Sequence, residues 1–217
     1  MKTNIEQEIF ERILAELARG EHAEEVKQAR DVFFERLRDL RDDDPSFERL
    51  TACFLNWYVF DRRMDGCLET PLQIFVATHK LSAGEKTLLA ALAGNIHSLF
   101  EVLRIDRQSI DLRDMFSSET LRVTERRALA GLDPGDILEA RLLPLNDKLV
   151  FASGAYVLHP RAARGLIRKA AERSRTSGTP EAAELIMRLQ ALSFRYLDRF
   201  KQRVPVEKVY TDITGGQ

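Results

Sequence analysis

The chain has 217 residues, of which 44% are hydrophobic and 31% charged, and a formal net charge of −1. That length suits one large or two small domains and buries roughly 70% of the unfolded surface, so folding needs neither disulfide nor metal. The composition excludes collagen-like, mucin-like and disordered classes, and the near-zero charge excludes a dedicated, strongly basic DNA coat protein.

No apolar core segment follows Met1 and Lys2, so no signal peptide is expected. Thr3 and Glu6 read as a capping box that opens a first helix, with Ile5, Ile9, Ile13 and Leu17 at i+4 spacing and Gly20 as its stop. A second amphipathic helix is predicted from about Glu21 to Arg41, with Val26, Ala29, Phe33, Leu37 and Leu40 as its stripe. Asp44 as N-cap with Pro45 at N1 opens a third, to about Arg62. Phe47, Leu50, Cys53, Phe54, Trp57, Tyr58 and Phe60 make it apolar over much of its circumference, the pattern of a central buried helix. Thr70-Pro71 with Gln73, and Ser82 with Glu85, are two further capping-box starts, and Gly94-Asn95 ends the last helix.

The period then changes. Five short strands are expected at Leu99–Ile105, Ser109–Met115, Thr120–Glu125, Asp136–Pro144 and Lys148–Leu158. Asp133-Pro134-Gly135-Asp136 and Asn146-Asp147 separate them as turns. Pro160 and Thr179-Pro180 open two tail helices, with Ser174 to Gly178 as a polar break, an extended exit at Val204-Pro205-Val206, and a frayed end from Thr211. The fold class is therefore α+β. A helical bundle covers residues 1–96, a small antiparallel β-barrel-like domain of SH3-like or OB-like scale covers 97–159, and two C-terminal helices packing back cover 160–217.

The order Phe54 to Gly66, Thr70-Pro71-Leu72, Ser98 to Val102, Asp111-Leu112-x-Asp114 and Gly135-Asp136 to Arg141-Leu142 resembles a loose group of uncharacterised bacterial proteins, some of which carry a C-terminal zinc-binding SEC-C motif. The resemblance covers roughly residues 47–158 and implies a helical part followed by a small β-domain. No cysteine follows Cys67, so the zinc cluster of that motif is absent and nothing attributed to it carries over.

Few residues carry recognisable chemistry. Cys53, Cys67, His79 and His97 match no zinc spacing, so no metal and no cofactor is expected. There is no nucleophile elbow and no phosphate-binding glycine loop. Asp111 and Asp114 fall on opposite faces of one strand and make a poor catalytic pair, and Asp114 reads as a turn former. Trp57, Asp61 and Arg63 form a possible pocket at the end of the third helix, although helix capping and ion pairing account for the same residue types.

Resolved along the chain, the net charge is −5 over residues 1–98, −2 over 99–158 and +6 over 159–217. Six cations, Arg161, Arg164, Arg168, Lys169, Arg173 and Arg175, lie on one tail helix, and four of them share a face. Such a stripe serves a polyanion, or a solvated face, or docking against acidic residues of this or another chain. The expectation is a non-catalytic cytoplasmic protein-interaction module, with a protein partner or self-association and no membrane. Nucleic-acid binding through residues 160–175 and the β-domain is the alternative, and an enzyme with a site near Trp57, Asp61 and Arg63 is the weaker one.

Overall fold

A computed structural model describes residues 12–13, 15, 23–36, 47–64, 68–125, 131–177, 179–199 and 203–214. The chain divides into two compact units, residues 1–94 and 95–217. The capping box at Thr3, the Asp44 cap and Cys67 lie outside the described residues.

In the first unit, α1 (Ala23–Arg36) packs on α2 (Phe47–Phe60) through an aromatic cluster. The Phe33 ring lies 5.6 Å from Phe54 and 5.4 Å from Trp57, centroid to centroid. Ala29, Leu50 and Tyr58 are fully buried beside it. Helix α3 (Pro71–Thr78) begins as its sequence predicts: Gln73 N–H donates to Thr70 Oγ1, and Thr70 N–H donates to Gln73 Oε1 at 2.8 Å. Helix α4 (Ala83–Ala93) repeats the device with Ser82 and Glu85 and stops at Gly94. Cys53, expected to be buried, is half-buried.

The second unit is a closed barrel of β1 (Ile96–Ile105), β2 (Ser109–Asp114), β3 (Thr120–Thr124), β4 (Ile137–Leu145) and β5 (Lys148–Leu158). Around the ring the order is β1-β2-β3-β5-β4. The expected all-antiparallel barrel is corrected at one seam, because β3 and β5 pair in parallel at Val123 and Leu149. The reason is parity: five strands cannot alternate direction around a closed ring, so one neighbouring pair must run the same way. Two long strands carry extra residues, β1 at a bulge between Val102 and Arg104, and β5 between Phe151 and Tyr156, opposite Leu142 and Ala140 of β4. The β4–β5 hairpin turns on Asn146 and Asp147, both at positive φ as a type I′ turn requires.

Strand alternation divides the side chains of β1 and β4 between two cores. Phe100, Val102, Leu138, Ala140 and Leu142 fill the barrel with Ile110, Leu112, Val123 and Phe151. Leu99 and Ile137 face outward and are covered by the tail. The tail comprises a 3-10 turn (Arg161–Ala163), α5 (Arg164–Ser177), α6 (Thr179–Phe194) continuing into a π-helical turn (Arg195–Arg199), and α7 (Val206–Tyr210). The expected polar break is shorter than its composition suggests, since α5 runs on to Ser177. The expected extended exit is also corrected: Val206 starts α7, and Val206, Val209, Tyr210 and Ile213 are buried against the other tail helices. Barrel and tail helices therefore share a core and form one unit.

Candidate functional site

The arginine stripe, expected on one helix, is divided between the 3-10 turn (Arg161) and α5 (Arg164, Arg168 and Arg175), and it lies against the outer edge of the barrel. Two buried carboxylates receive it. Asp136 is fully buried and ends the Asp133-Pro134-Gly135-Asp136 turn, in which Asp136 N–H donates to Asp133 O at 3.0 Å. Gly135 has φ +84°, the left-handed conformation this turn position needs. The turn is stitched to the β1 bulge, since Gly135 N–H donates to Val102 O at 2.7 Å and Val102 N–H to Asp136 O at 2.8 Å. Asp136 then accepts from Asp133 N–H at 2.7 Å, from Arg161 Nε at 3.0 Å and from Arg164.

Glu101, on the outward face of β1, is 8% exposed. It accepts from Arg168 Nη2 at 2.7 Å and from Arg113 of β2. Burial pushes both carboxyls up, but the guanidiniums of Arg113 and Arg168 outweigh it at Glu101, and Arg161, the Asp133 amide and Arg164 outweigh it at Asp136. Both carboxyls therefore stay below their ordinary range. Arg175 donates to Ser118 Oγ at 2.9 Å. Lys169 and Arg173 do not join this set; they are exposed and border a shallow concavity with Glu172 and Thr176.

A second polar cluster sits at the other end of the same strands. His97 and Arg141 are register partners, and Glu139 lies on the same outward face of β4 as Arg141. Glu139 Oε1 accepts from Gln190 Nε2 of α6 at 2.9 Å and lies 3.0 Å from His97 Nε2. Arg141 donates to Asn95 Oδ1. Glu139 and Arg141 are both at least nine-tenths buried. The outer face of the β1–β4 pair thus has an apolar centre, Leu99 and Ile137, with polar anchors at both ends.

Across β1, β2 and β3, Arg104 and Arg122 pair with Asp106 at 2.7 and 2.8 Å and with Asp111 at 3.4 and 3.6 Å. Asp114 forms the expected turn, accepting from Phe116 N–H at 2.8 Å and Ser117 N–H at 3.1 Å.

Of the residues expected to form a pocket, Trp57 lies in α2 and Asp61 and Arg63 follow its end. Trp57 packs between aromatic rings with the Arg62 guanidinium 5.8 Å from its centroid, while Asp61 and Arg63 are exposed at the helix end. Arg62 also donates to Glu25 Oε1 at 3.2 Å, and Glu25 accepts from the Tyr58 hydroxyl at 2.5 Å. Among the described residues no His, Cys, Asp and Glu group is arranged to hold a metal ion. No described helix is long and apolar enough to cross a membrane.

The residues that sequence reasoning missed are the receptors of the stripe, Glu101 and Asp136, and the pair Glu139 and Gln190 in the second cluster. A signal existed in β4, where Glu139 and Arg141 sit two apart inside the apolar run Ile137–Leu145, so both must face one side of an otherwise buried strand.

Fold and site together define a closed five-stranded barrel whose tail helix is pinned by arginines to buried barrel carboxylates. The chain belongs to a family of unknown function (DUF7986), whose model matches residues 3–185 and so spans the helical unit, the barrel and α5. No curated protein and no solved structure matches it. The match carries no link to the SEC-C-bearing group.

Proposed function

We propose that this protein is a non-catalytic protein-interaction module, in which residues 95–217 are a rigid body and the helical unit offers the contact surface. The observation that carries this reading is a groove of about 400 Å³ between α3 and α4. Its walls are Leu72, Val76, Leu81, Leu89, Ala90 and Ala93, with Gln73 and Lys86 at the lip. Val76 is 41% exposed, and Leu68, just before α3, is 79% exposed. An apolar groove between two short helices suits a partner helix that lays apolar residues one turn apart into it, with an acidic residue opposite Lys86. The engagement of Arg161, Arg164 and Arg168 by carboxylates of their own chain also supports it, because the stripe then serves as internal structure.

A photo-crosslinking amino acid at position 76 tests the reading in cells. Discrete protein adducts are expected, and Ala90→Asp in the same groove should abolish them. Absence of adducts, or adducts indifferent to Ala90→Asp, would overturn it.

One observation favours nucleic-acid binding as a second reading. The strand order is that of the OB barrels, whose β2–β3 face takes up single strands, although fold alone is an analogy. Residues 95–217 carry 20 basic and 16 acidic residues, net +4. Against it, β2 and β3 contain no aromatic residue, and Arg104 of β1 and Arg122 of β3 are ion-paired. Fluorescence anisotropy with a labelled single strand distinguishes the two: binding that falls steeply with salt supports this reading, and no binding at low salt removes it.

A further inference from the structure

We propose that the cleft between α5 and α6 binds a small organic monoanion, a carboxylate carrying a short apolar chain. The cleft has a volume of about 370 Å³, within the ordinary range for small-molecule sites. Its lining separates by chemistry. Ala170, Leu185 and Ile213 are buried and make an apolar floor. Arg173 of α5 and Arg188 of α6 stand exposed at the mouth, with Glu184 one turn from Arg188. Among the described lining residues, two guanidiniums and one carboxylate sum to a single positive charge.

The independent pointer to a ligand is Ser174. It is 7% exposed, lines the same cleft, and its Oγ has no hydrogen-bond partner. A buried hydroxyl without a partner is unfavourable, and an oxyanion seated between Arg173 and Arg188 would supply the missing acceptor. Guanidiniums recognise both carboxylates and phosphates. Glu184 disfavours a dianion, and the apolar floor rewards a ligand with a hydrocarbon tail. Those two features select an acyl carboxylate over inorganic phosphate. The inference is independent of the groove on the helical unit and uses residues from a different part of the chain.

Calorimetric titration of the full chain with hexanoate, and separately with inorganic phosphate, is the test. Saturable one-site binding of hexanoate is expected, with phosphate markedly weaker. Arg188→Gln and Arg173→Gln, both at exposed positions, should each weaken hexanoate about tenfold, since each removes a charge-assisted bond. Ser174→Ala should weaken it by a smaller factor while leaving the melting temperature near wild type. Hexanoate that fails to saturate, phosphate that binds as tightly, or affinity unchanged in all three variants would each overturn the proposal.

Discussion

Arg168 of α5 donates to Glu101 of β1 at 2.7 Å, and the other oxygen of the same carboxylate accepts from Arg113 of β2. One nearly buried carboxylate therefore joins two strands and the tail helix. Removing it leaves two guanidiniums facing each other, whereas removing Arg168 leaves Glu101 with Arg113. The expected cost is about 1–3 kcal/mol for Glu101→Gln, and about 1 kcal/mol for Arg168→Gln, whose side chain is half exposed. A double-mutant cycle by urea denaturation should show coupling of about 1 kcal/mol. Strict additivity would mean that the bond contributes nothing to the docking of α5.

Reversing the stripe has a different consequence from the one its composition suggests. In a protein carrying Arg161→Glu, Arg164→Glu and Arg168→Glu, three new carboxylates face Asp136 and Glu101, both depressed acids that stay charged at neutral pH. Like charges at nearly buried sites cost several kcal/mol. The expected outcome is a large fall in the melting temperature of residues 95–217, read by circular dichroism. A triple variant as stable as wild type would show that the stripe is not structural. Any loss of binding in that variant has to be read beside its stability.

Much of the fold was legible because periodicity changes where the structure does. The strands Ser109–Asp114, Thr120–Thr124 and Lys148–Leu158 start where their turn residues place them. Both described capping boxes form, because their signal is local. The parallel β3–β5 seam was not legible, since it depends on closure and not on any run of residues. Helix α7 was missed because one turn carries no period. At the site, the shared face of Arg161, Arg164 and Arg168 could be read from spacing, but its receptors could not. Asp136 looks like an ordinary turn residue, and Glu101 lies far from the tail in sequence. The structure gives both a physical role as acceptors of the stripe.

In the helical unit, Tyr58 is fully buried and its hydroxyl donates to Glu25 of α1. Burial first, and then the Glu25 carboxylate, push its ionisation far above the usual tyrosine range. Tyr210 is pushed up as well, by burial. A tyrosine whose folded value is raised contributes stability that is fully present below pH ~10 and is lost as pH climbs above it. In an absorbance titration at alkaline pH, two of the four tyrosines should therefore ionise only as the chain unfolds. Tyr58→Phe should cost about 1–2 kcal/mol through the lost bond to Glu25. Four tyrosines ionising together near pH 10 in folded protein would contradict this.

His159 links the end of β5 to the tail. Its ring is 1% exposed, with Nδ1 3.4 Å from the Tyr210 hydroxyl and Nε2 without a hydrogen-bond partner. Burial holds its pKa down to about 3, so the ring is neutral in the folded protein at pH 7. The unfolded chain takes up a proton there below pH ~6.5, which the folded chain refuses. Stability is therefore complete above pH ~6.5 and falls as the pH drops toward 3, by about 1.4 kcal/mol per unit from this group. Below pH ~4.5 the protonation of Glu101 and Asp136 adds to the loss, because both are depressed in the fold. Chemical denaturation at a series of pH values checks this. Between pH 6.5 and 5 the slope should vanish in His159→Phe, whose ring fills a similar space without a titrating group. A slope that survives the substitution would place the acid sensitivity elsewhere.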